Sequence, residues 1–299
     1  MPAPVYDSTQ PLQFGGALPE MPTFDSAAAI ILPAPLDRTT SYTPGTRNGP
    51  REILNASAQV ELWDEELGID IHDRGIFTLP EMDMTSGTMD DALRLLKQAA
   101  GRVLDQNKFL ITLGGEHSIT SPLVDAAVAR HRGLTVLQID AHADLRDSYQ
   151  SQRHSHACAM RRTLDHAPVV QVAIRNISAE EVDALPTLRS TVFYDWNMRD
   201  DPNWIDRVVA SLGASPVYIT IDLDGLDPGM MPAVGTPEPG GLSWREITRL
   251  LRRTFEQRDV IACDVVELCP IPGFVSPNFI AARLVYKLLT YKLGLPFRR

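Results

Sequence analysis

Short apolar runs, several of them continuous, alternate with amphipathic stretches along most of this chain, and that alternation restricts the fold more than any other feature. The runs are Ala28–Leu32, Ile69–Phe77, Phe109–Leu113, Leu134–Ile139, Val169–Ile174, Val192–Tyr194, Val217–Ile221 and Val260–Val266. Strands of this length that are apolar on both sides suit a parallel sheet covered on both faces. Helices are predicted between them, near 50–60, 88–106, 118–131, 178–185, 202–212, 243–256 and 278–292. In 90–104, Leu93, Leu96, Val103 and Leu104 recur at helical spacing. The pattern predicts an α/β fold, a single-domain three-layer α/β/α arrangement with an eight-stranded, mostly parallel sheet. Residues 1–26, rich in proline, glycine and polar side chains, read as an irregular arm, and 27–299 as one domain without linker or repeat.

Composition narrows the function classes. A formal charge of −10 argues against a nucleic-acid surface, which needs clustered Lys and Arg, and modestly favours a cationic small substrate. No apolar stretch approaches the ~20 residues that span a bilayer, and the N-terminus lacks a signal-peptide pattern. Cys158, Cys263 and Cys269 form neither a disulfide framework nor a zinc-knuckle spacing, so a reducing cytoplasm is the expected location.

In a sheet of this kind the chemistry lies beyond the carboxyl ends of the strands. The metal-ligating residue types collect there. Leu113-Gly-Gly-Glu-His-Ser118 follows one run, Ile139-Asp-Ala-His-Ala-Asp144 another, Ile221-Asp-Leu-Asp-Gly225 a third and Asp264-Val-Val-Glu267 a fourth. His117, Asp140, His142, Asp144, Asp222, Asp224 and Glu267 therefore share one sheet edge. Residues two apart on a strand point to one face, so Asp140, His142 and Asp144 converge if the strand continues briefly, as do Asp222 and Asp224. Four massed aspartates need cations or raised pKa values. Two divalent ions resolve the repulsion if two carboxylates bridge. Carboxylate with some imidazole and no thiolate suits Mn²⁺ better than structural zinc; Ni²⁺, Co²⁺ and Fe²⁺ stay open.

Each piece alone has a plainer reading. A single strand-end Asp is usually a cap or turn residue, Gly114-Gly115 a tight turn, and a lone His117 a satisfied, partly buried histidine. The combination of D-x-H-x-D, D-x-D and a further strand-end histidine favours a metal site. Asp70-Ile-His-Asp73 resembles a ligand cluster but lies at the wrong end of its run and reads as solvated surface. His131 and His166 sit in loop or helix-end contexts.

Together the segments G-G-E-H-S, D-A-H-A-D and D-L-D-G-L-D-P resemble the metal-binding signatures of the ureohydrolases, the arginase and agmatinase family. Gly235-Thr-Pro-Glu-Pro-Gly-Gly-Leu242, Pro44-Gly-Thr-Arg-Asn-Gly-Pro50 and Val265-Val-Glu-Leu-Cys-Pro270 resemble further family segments, in the family's order from about residue 27 onward. The resemblance implies one Mn²⁺ held by His117, Asp140, Asp144 and Asp222, and a second held by His142, Asp140, Asp222 and Asp224. It implies a hydroxide between the metals as nucleophile, Glu267 as the guanidinium-binding carboxylate, Asp144 as the group that orients the hydroxide and carries its proton, and His156 as a proton shuttle. It also implies a homo-oligomer, trimer or hexamer. His154 lacks a family match. Cys158 lacks a thiolate-stabilising context and reads as packing.

The segment Leu145–His156 lacks the arginase-like S-x-N-x-H-G pattern that holds a substrate's α-carboxylate and is more similar to agmatinases, as is Arg161-Arg162. The expected reaction is hydrolysis of agmatine to urea and putrescine, within polyamine synthesis. Aminopropylagmatine, guanidinobutyrate or arginine are the alternatives for the same chemistry, and a non-catalytic metal-binding relative is the alternative of another class. Glu238 and Asp147 are candidates for the far amine of a dication; Arg146 or Arg153 would instead suit a carboxylate. The metallophosphoesterase order of motifs, a deacetylase's reduced ligand set and nucleotide-binding glycine patterns do not fit.

Overall fold

The structure, a computed structural model, describes residues 12–16 and 21–296. Its strands are β1 (Ala29–Ala34), β2 (Trp63–Asp64), β3 (Ile69–Asp70), β4 (Ile76–Thr78), β5 (Phe109–Gly114), β6 (Thr135–Ile139), β7 (Val169–Ile174), β8 (Ser190–Tyr194), β9 (Val217–Asp222) and β10 (Val260–Val266). The helices are α1 (Gly49–Ser57), α2 (Met89–Leu104), α3 (Thr120–Val128), α4 (Ala159–Thr163), α5 (Ala179–Ala184), α6 (Asp195–Met198), α7 (Trp204–Ser211), α8 (Trp244–Gln257) and α9 (Ser276–Gly294). Eight strands form one sheet in the order β4-β1-β5-β10-β9-β6-β7-β8, and every pairing in it is parallel.

Strand residues divide by parity between two apolar layers, as a doubly covered sheet demands. Ile31, Ile111, Leu113, Ile219 and Ile221 pack with Ile53 of α1, Val208 of α7, Leu250 of α8 and Leu284 of α9. Ile30, Leu32, Leu110 and Tyr218 pack on the other face with Leu93 and Leu96 of α2, Leu123 of α3 and Met160 of α4. This is the expected three-layer α/β/α domain. The helix starts are set locally: Thr88, Ser178 and Ser243 each cap a helix through a reciprocal capping box.

One expected strand divides in two. The apolar run 69–77 is broken by a 3₁₀ turn at His72–Arg74 and by Gly75 at φ 78°. Ile69–Asp70 pairs antiparallel with Trp63–Asp64 in a small hairpin, and only Ile76–Thr78 joins the sheet as its edge. The short helices α4 and α6 lie where no helix is expected from the sequence. The expected irregular arm lies partly outside the described residues, in 1–11 and 17–20. Its described part covers the exposed edge of β4: the Gln13 side chain accepts from Thr78 N at 2.9 Å and donates to Thr78 O at 3.1 Å. No helix among the described residues is long and apolar enough to cross a membrane. All three cysteines are buried and unpaired.

Candidate metal centre

The carboxyl ends of β5, β6, β9 and β10 meet in a cleft of about 220 Å³. His117, His142, Asp144, Asp222, Asp224 and Glu267 line its floor, and Tyr42, Arg146, Tyr149, His156, Asn176 and Thr236 line its walls and mouth. Asp140, wholly buried, lies beneath.

The chain leaves the strand at Ile139, so convergence of the D-x-H-x-D residues does not come from continued strand geometry. It comes from a turn in which Asp144 adopts φ 54°. Asp140 Oδ2 and Asp144 Oδ2 both lie 3.1 Å from His117 Nδ1, and Asp222 Oδ2 lies 3.3 Å from the same atom. His142 turns the other way, its Nδ1 2.9 Å from Asp224 Oδ2 and 3.7 Å from Asp140 Oδ1. Asp140 thus presents one oxygen to each histidine. Asp222 closes β9, and Asp224 follows in a 3₁₀ turn whose backbone N–H donates to Asp222 Oδ1 at 2.9 Å. A Cβ at Gly225 would lie 2.8 Å from Asp140 N, so glycine is required for that turn to sit against the end of β6. Glu267, just beyond β10, is at φ 66° and accepts from His117 N at 2.7 Å. Two non-glycine residues in the left-handed region at one cleft are held there by the packing around them.

Four buried aspartates face two imidazoles here. Thr220 Oγ1 donates to Asp264 Oδ1 at 2.6 Å, so it must accept from His117 Nε2 at 2.9 Å. Nε2 then carries a hydrogen, and Nδ1 faces three carboxylate oxygens, a place for a proton or a cation. Nδ1 is fully buried and makes no well-formed hydrogen bond. Burial would lower the proton affinity of His117, but Asp140, Asp144 and Asp222 outweigh it and hold it well above the usual range. Burial opposes protonation of His142 too, yet the Asp224 charge leads the carboxylates that push it up to about 12. Burial, then the Asp224 and Asp140 charges, drive Asp222 well above the carboxylate range; burial and the Asp140 charge raise Asp144. Such an array takes up protons or cations, and the donor set, carboxylate and imidazole without thiolate, fits divalent cations. Two groups of side chains converge closely enough to hold a metal ion: His117, Asp140 and Asp144, and Asp140, His142 and Asp224.

Several supports are not evident from the motifs. Asp264, buried in β10, accepts from Tyr218, Thr220 and Thr120. Gln138 donates to Asp140 Oδ2 at 2.6 Å and is held by Gln171, which accepts from Ser190, a polar ladder across β6, β7 and β8. Arg175 donates to Asp224 O at 2.6 Å and Glu238 O at 3.0 Å, tying the 235–242 loop to the aspartate turn. Asp264, Gln138 and Gln171 are buried and Arg175 is half-buried.

The outlying candidates separate. His156 lines the cleft. His154 is half exposed and faces Asp90. Cys158 is buried, and burial, reinforced by the Asp144 charge, pushes its thiol up to about 11, away from reactivity. Asp147, expected as an amine-binding candidate, is outside the cleft lining and is taken up by Arg162 at 2.5 Å, with Arg153 and Arg161 nearby. Glu238 is likewise outside the lining and accepts from Asn176 at the rim. Arg146 does line the cleft, stacked on Tyr149 with 5.4 Å between guanidinium carbon and ring centroid. The Asp70–Asp73 cluster lies before β4, remote in the chain direction from the functional edge, with His72 half exposed against Asp70.

Residues 27–290 match the arginase family. The chain is 42% identical over 279 residues to an N(1)-aminopropylagmatine ureohydrolase of Synechocystis sp., covering 90% of each chain. It is 36% identical to a protein of the same name from Thermus thermophilus, covering 90% of this chain and 92% of the other. Among solved structures, the agmatine ureohydrolase of Thermoplasma volcanium superposes with a TM-score of 0.83 at 29% identity, over 90% of this chain and 91% of that one. The chain belongs to the arginase family, as a ureohydrolase.

Proposed function

We propose that this enzyme hydrolyses the guanidino group of N1-aminopropylagmatine, releasing urea and the corresponding polyamine. The carrying observation is the set of carboxylates and imidazoles on the cleft floor, with His117 Nδ1 aimed at three carboxylate oxygens. The substrate rests on likeness: the relatives from Synechocystis and Thermus carry that name at higher identity than the agmatine ureohydrolase of solved structure. Agmatine, the expectation from the sequence, becomes the alternative.

His117, Asp140, Asp144 and Asp222 would hold one cation, and His142, Asp140, Asp222 and Asp224 the other, with Mn²⁺ the best match to the donors. Two such ions, when bound, would supply an activated water for the attack. The chain's own groups do the rest. Glu267 offers its carboxylate to the planar guanidinium and aims the guanidinium carbon at the floor. Asp144, at the same floor, holds the proton lost by the attacking water. His156 on the wall returns a proton to the departing amine. The exposed ring of Tyr42 at the mouth offers a face to a distal ammonium.

One observation favours a second reading. Arg146 places a cation in the cleft lining, which suits a guanidino acid such as guanidinobutyrate more than a polyamine tail. Its charge is shared with Glu181, 4.0 Å away. Urea release measured side by side on aminopropylagmatine, agmatine, guanidinobutyrate and arginine separates the two. The highest kcat/KM on aminopropylagmatine supports the proposal; the highest on guanidinobutyrate replaces it with the acid reading.

A further inference from the structure

We propose that Thr39 is a positioning residue for His156: it holds the imidazole in the tautomer with hydrogen on Nδ1, leaving Nε2 as the atom that exchanges a proton in the cleft. The inference rests on the proton-transfer role given to His156 above. Thr39 lies in the loop after β1 and Glu116 in the turn after β5, and neither belongs to the cation-binding set.

The direction of the hydrogen bonds follows from Glu116. Its wholly buried carboxylate accepts from Arg38 N at 2.7 Å, Thr39 N at 2.6 Å, Thr39 Oγ1 at 2.8 Å and Ser118 Oγ at 2.6 Å. A carboxylate only accepts, so the hydroxyl hydrogen of Thr39 is committed to Glu116. Thr39 Oγ1 therefore turns only lone pairs toward His156. It accepts from His156 N at 3.0 Å, and His156 Nδ1 lies 3.3 Å away. A lone pair on Nδ1 would oppose a lone pair on Oγ1 in a half-buried place; a hydrogen there makes a bond. Ser155 Oγ, 3.4 Å from Nδ1, can accept from the same hydrogen. On the other side of the ring, Nε2 lies 3.4 Å from Ser41 Oγ, whose rotatable hydroxyl can donate to it. The Tyr149 ring packs edge-on against the imidazole at 6.1 Å and restricts a flip. Because Glu116 precedes His117, one turn sets both a histidine of the floor and, through Thr39, the histidine of the wall.

The test is a double-mutant cycle on metal-loaded enzyme, using whichever of the four guanidino compounds turns over fastest. Thr39→Val should lower kcat roughly tenfold with KM and bound metal little changed, and Thr39→Ser should recover most of the loss. In a His156→Ala background, Thr39→Val should cost less than about twofold, because its effect passes through the imidazole. Thr39→Ala replaces Thr39→Val if the valine protein does not fold. Equal losses in both backgrounds, or a serine variant no better than valine, would overturn the proposal and leave His156's role intact. Full turnover by His156→Ala alone would remove that role and the proposal with it.

Discussion

Asp140 Oδ2 lies 3.1 Å from His117 Nδ1, while its other oxygen faces His142 at 3.7 Å. One wholly buried carboxylate therefore belongs to both halves of the cleft floor. Asp140→Ala should abolish binding of both cations and lower urea release by at least a thousandfold, since hydrolysis of guanidinium at neutral pH depends on the activated water. Metal content by elemental analysis checks this. An active Asp140→Ala enzyme with full metal content would refute the placement.

His156 sits on the wall rather than the floor, so His156→Ala should keep both cations and lose roughly a hundredfold or more in kcat. Metal content falling in step with the rate would make His156 a ligand or a structural residue instead.

The support behind His117 is as specific as the site itself. Thr220 receives its Nε2–H and passes a hydrogen to Asp264. Thr220→Val should weaken cation binding on the order of 10- to 100-fold while the fold stays intact, measured by metal titration and circular dichroism. Unchanged affinity would mean that packing alone orients the imidazole.

Protons compete with cations for this array. Carboxylates around His117 and His142 raise their proton affinity, and burial raises Asp144 and Asp222. These groups must be deprotonated to bind metal, so binding releases protons and affinity rises with pH. The sign for the metal-free protein is opposite. Groups whose folded pKa is raised contribute stability that is full below their unfolded values and lost as pH rises through the folded ones. Chelated protein should therefore lose stability from mildly acid to mildly alkaline buffer, and the loaded protein should be protected across that window. Thermal melts with and without chelator decide it.

Away from the cleft, Lys287 in α9 is almost wholly buried, its Nζ 2.7 Å from Asp64 Oδ2 and 3.0 Å from Glu66 Oε2. It clamps the β2–β3 hairpin to the body of the domain. Lys287→Ala should cost about 3–5 kcal/mol by removing the cation opposite buried Asp64, and Lys287→Met with Asp64→Asn, which keeps the oxygen that accepts from Glu66 N and Leu67 N, should recover much of it. A single variant within ~1 kcal/mol of the parent in denaturant melts would show that the hairpin is held otherwise.

The floor was legible in the sequence because its chemistry is local: Asp140, His142 and Asp144 follow one apolar run, Asp222 and Asp224 another, and strand ends in a parallel sheet share an edge. The supports were not legible because they pair across the chain. Thr39 reaches Glu116 77 positions away, and Thr120 reaches Asp264 144 positions away. Nothing in either segment alone distinguishes such a residue from a turn or core polar group. The edge strand failed for a local reason. Ile69–Asp70 and Ile76–Thr78 read as one strand only if Asp70, His72, Asp73 and Arg74 are passed over, and a 3₁₀ turn over His72–Arg74 with Gly75 at φ 78° parts them.

The most direct test is to strip the protein of metal and titrate Mn²⁺ back while following urea release. Activity that is absent without metal and saturates at two ions per chain is the predicted result. Full urea release from metal-free protein, or two ions bound with none of the four guanidino compounds hydrolysed, would contradict the account.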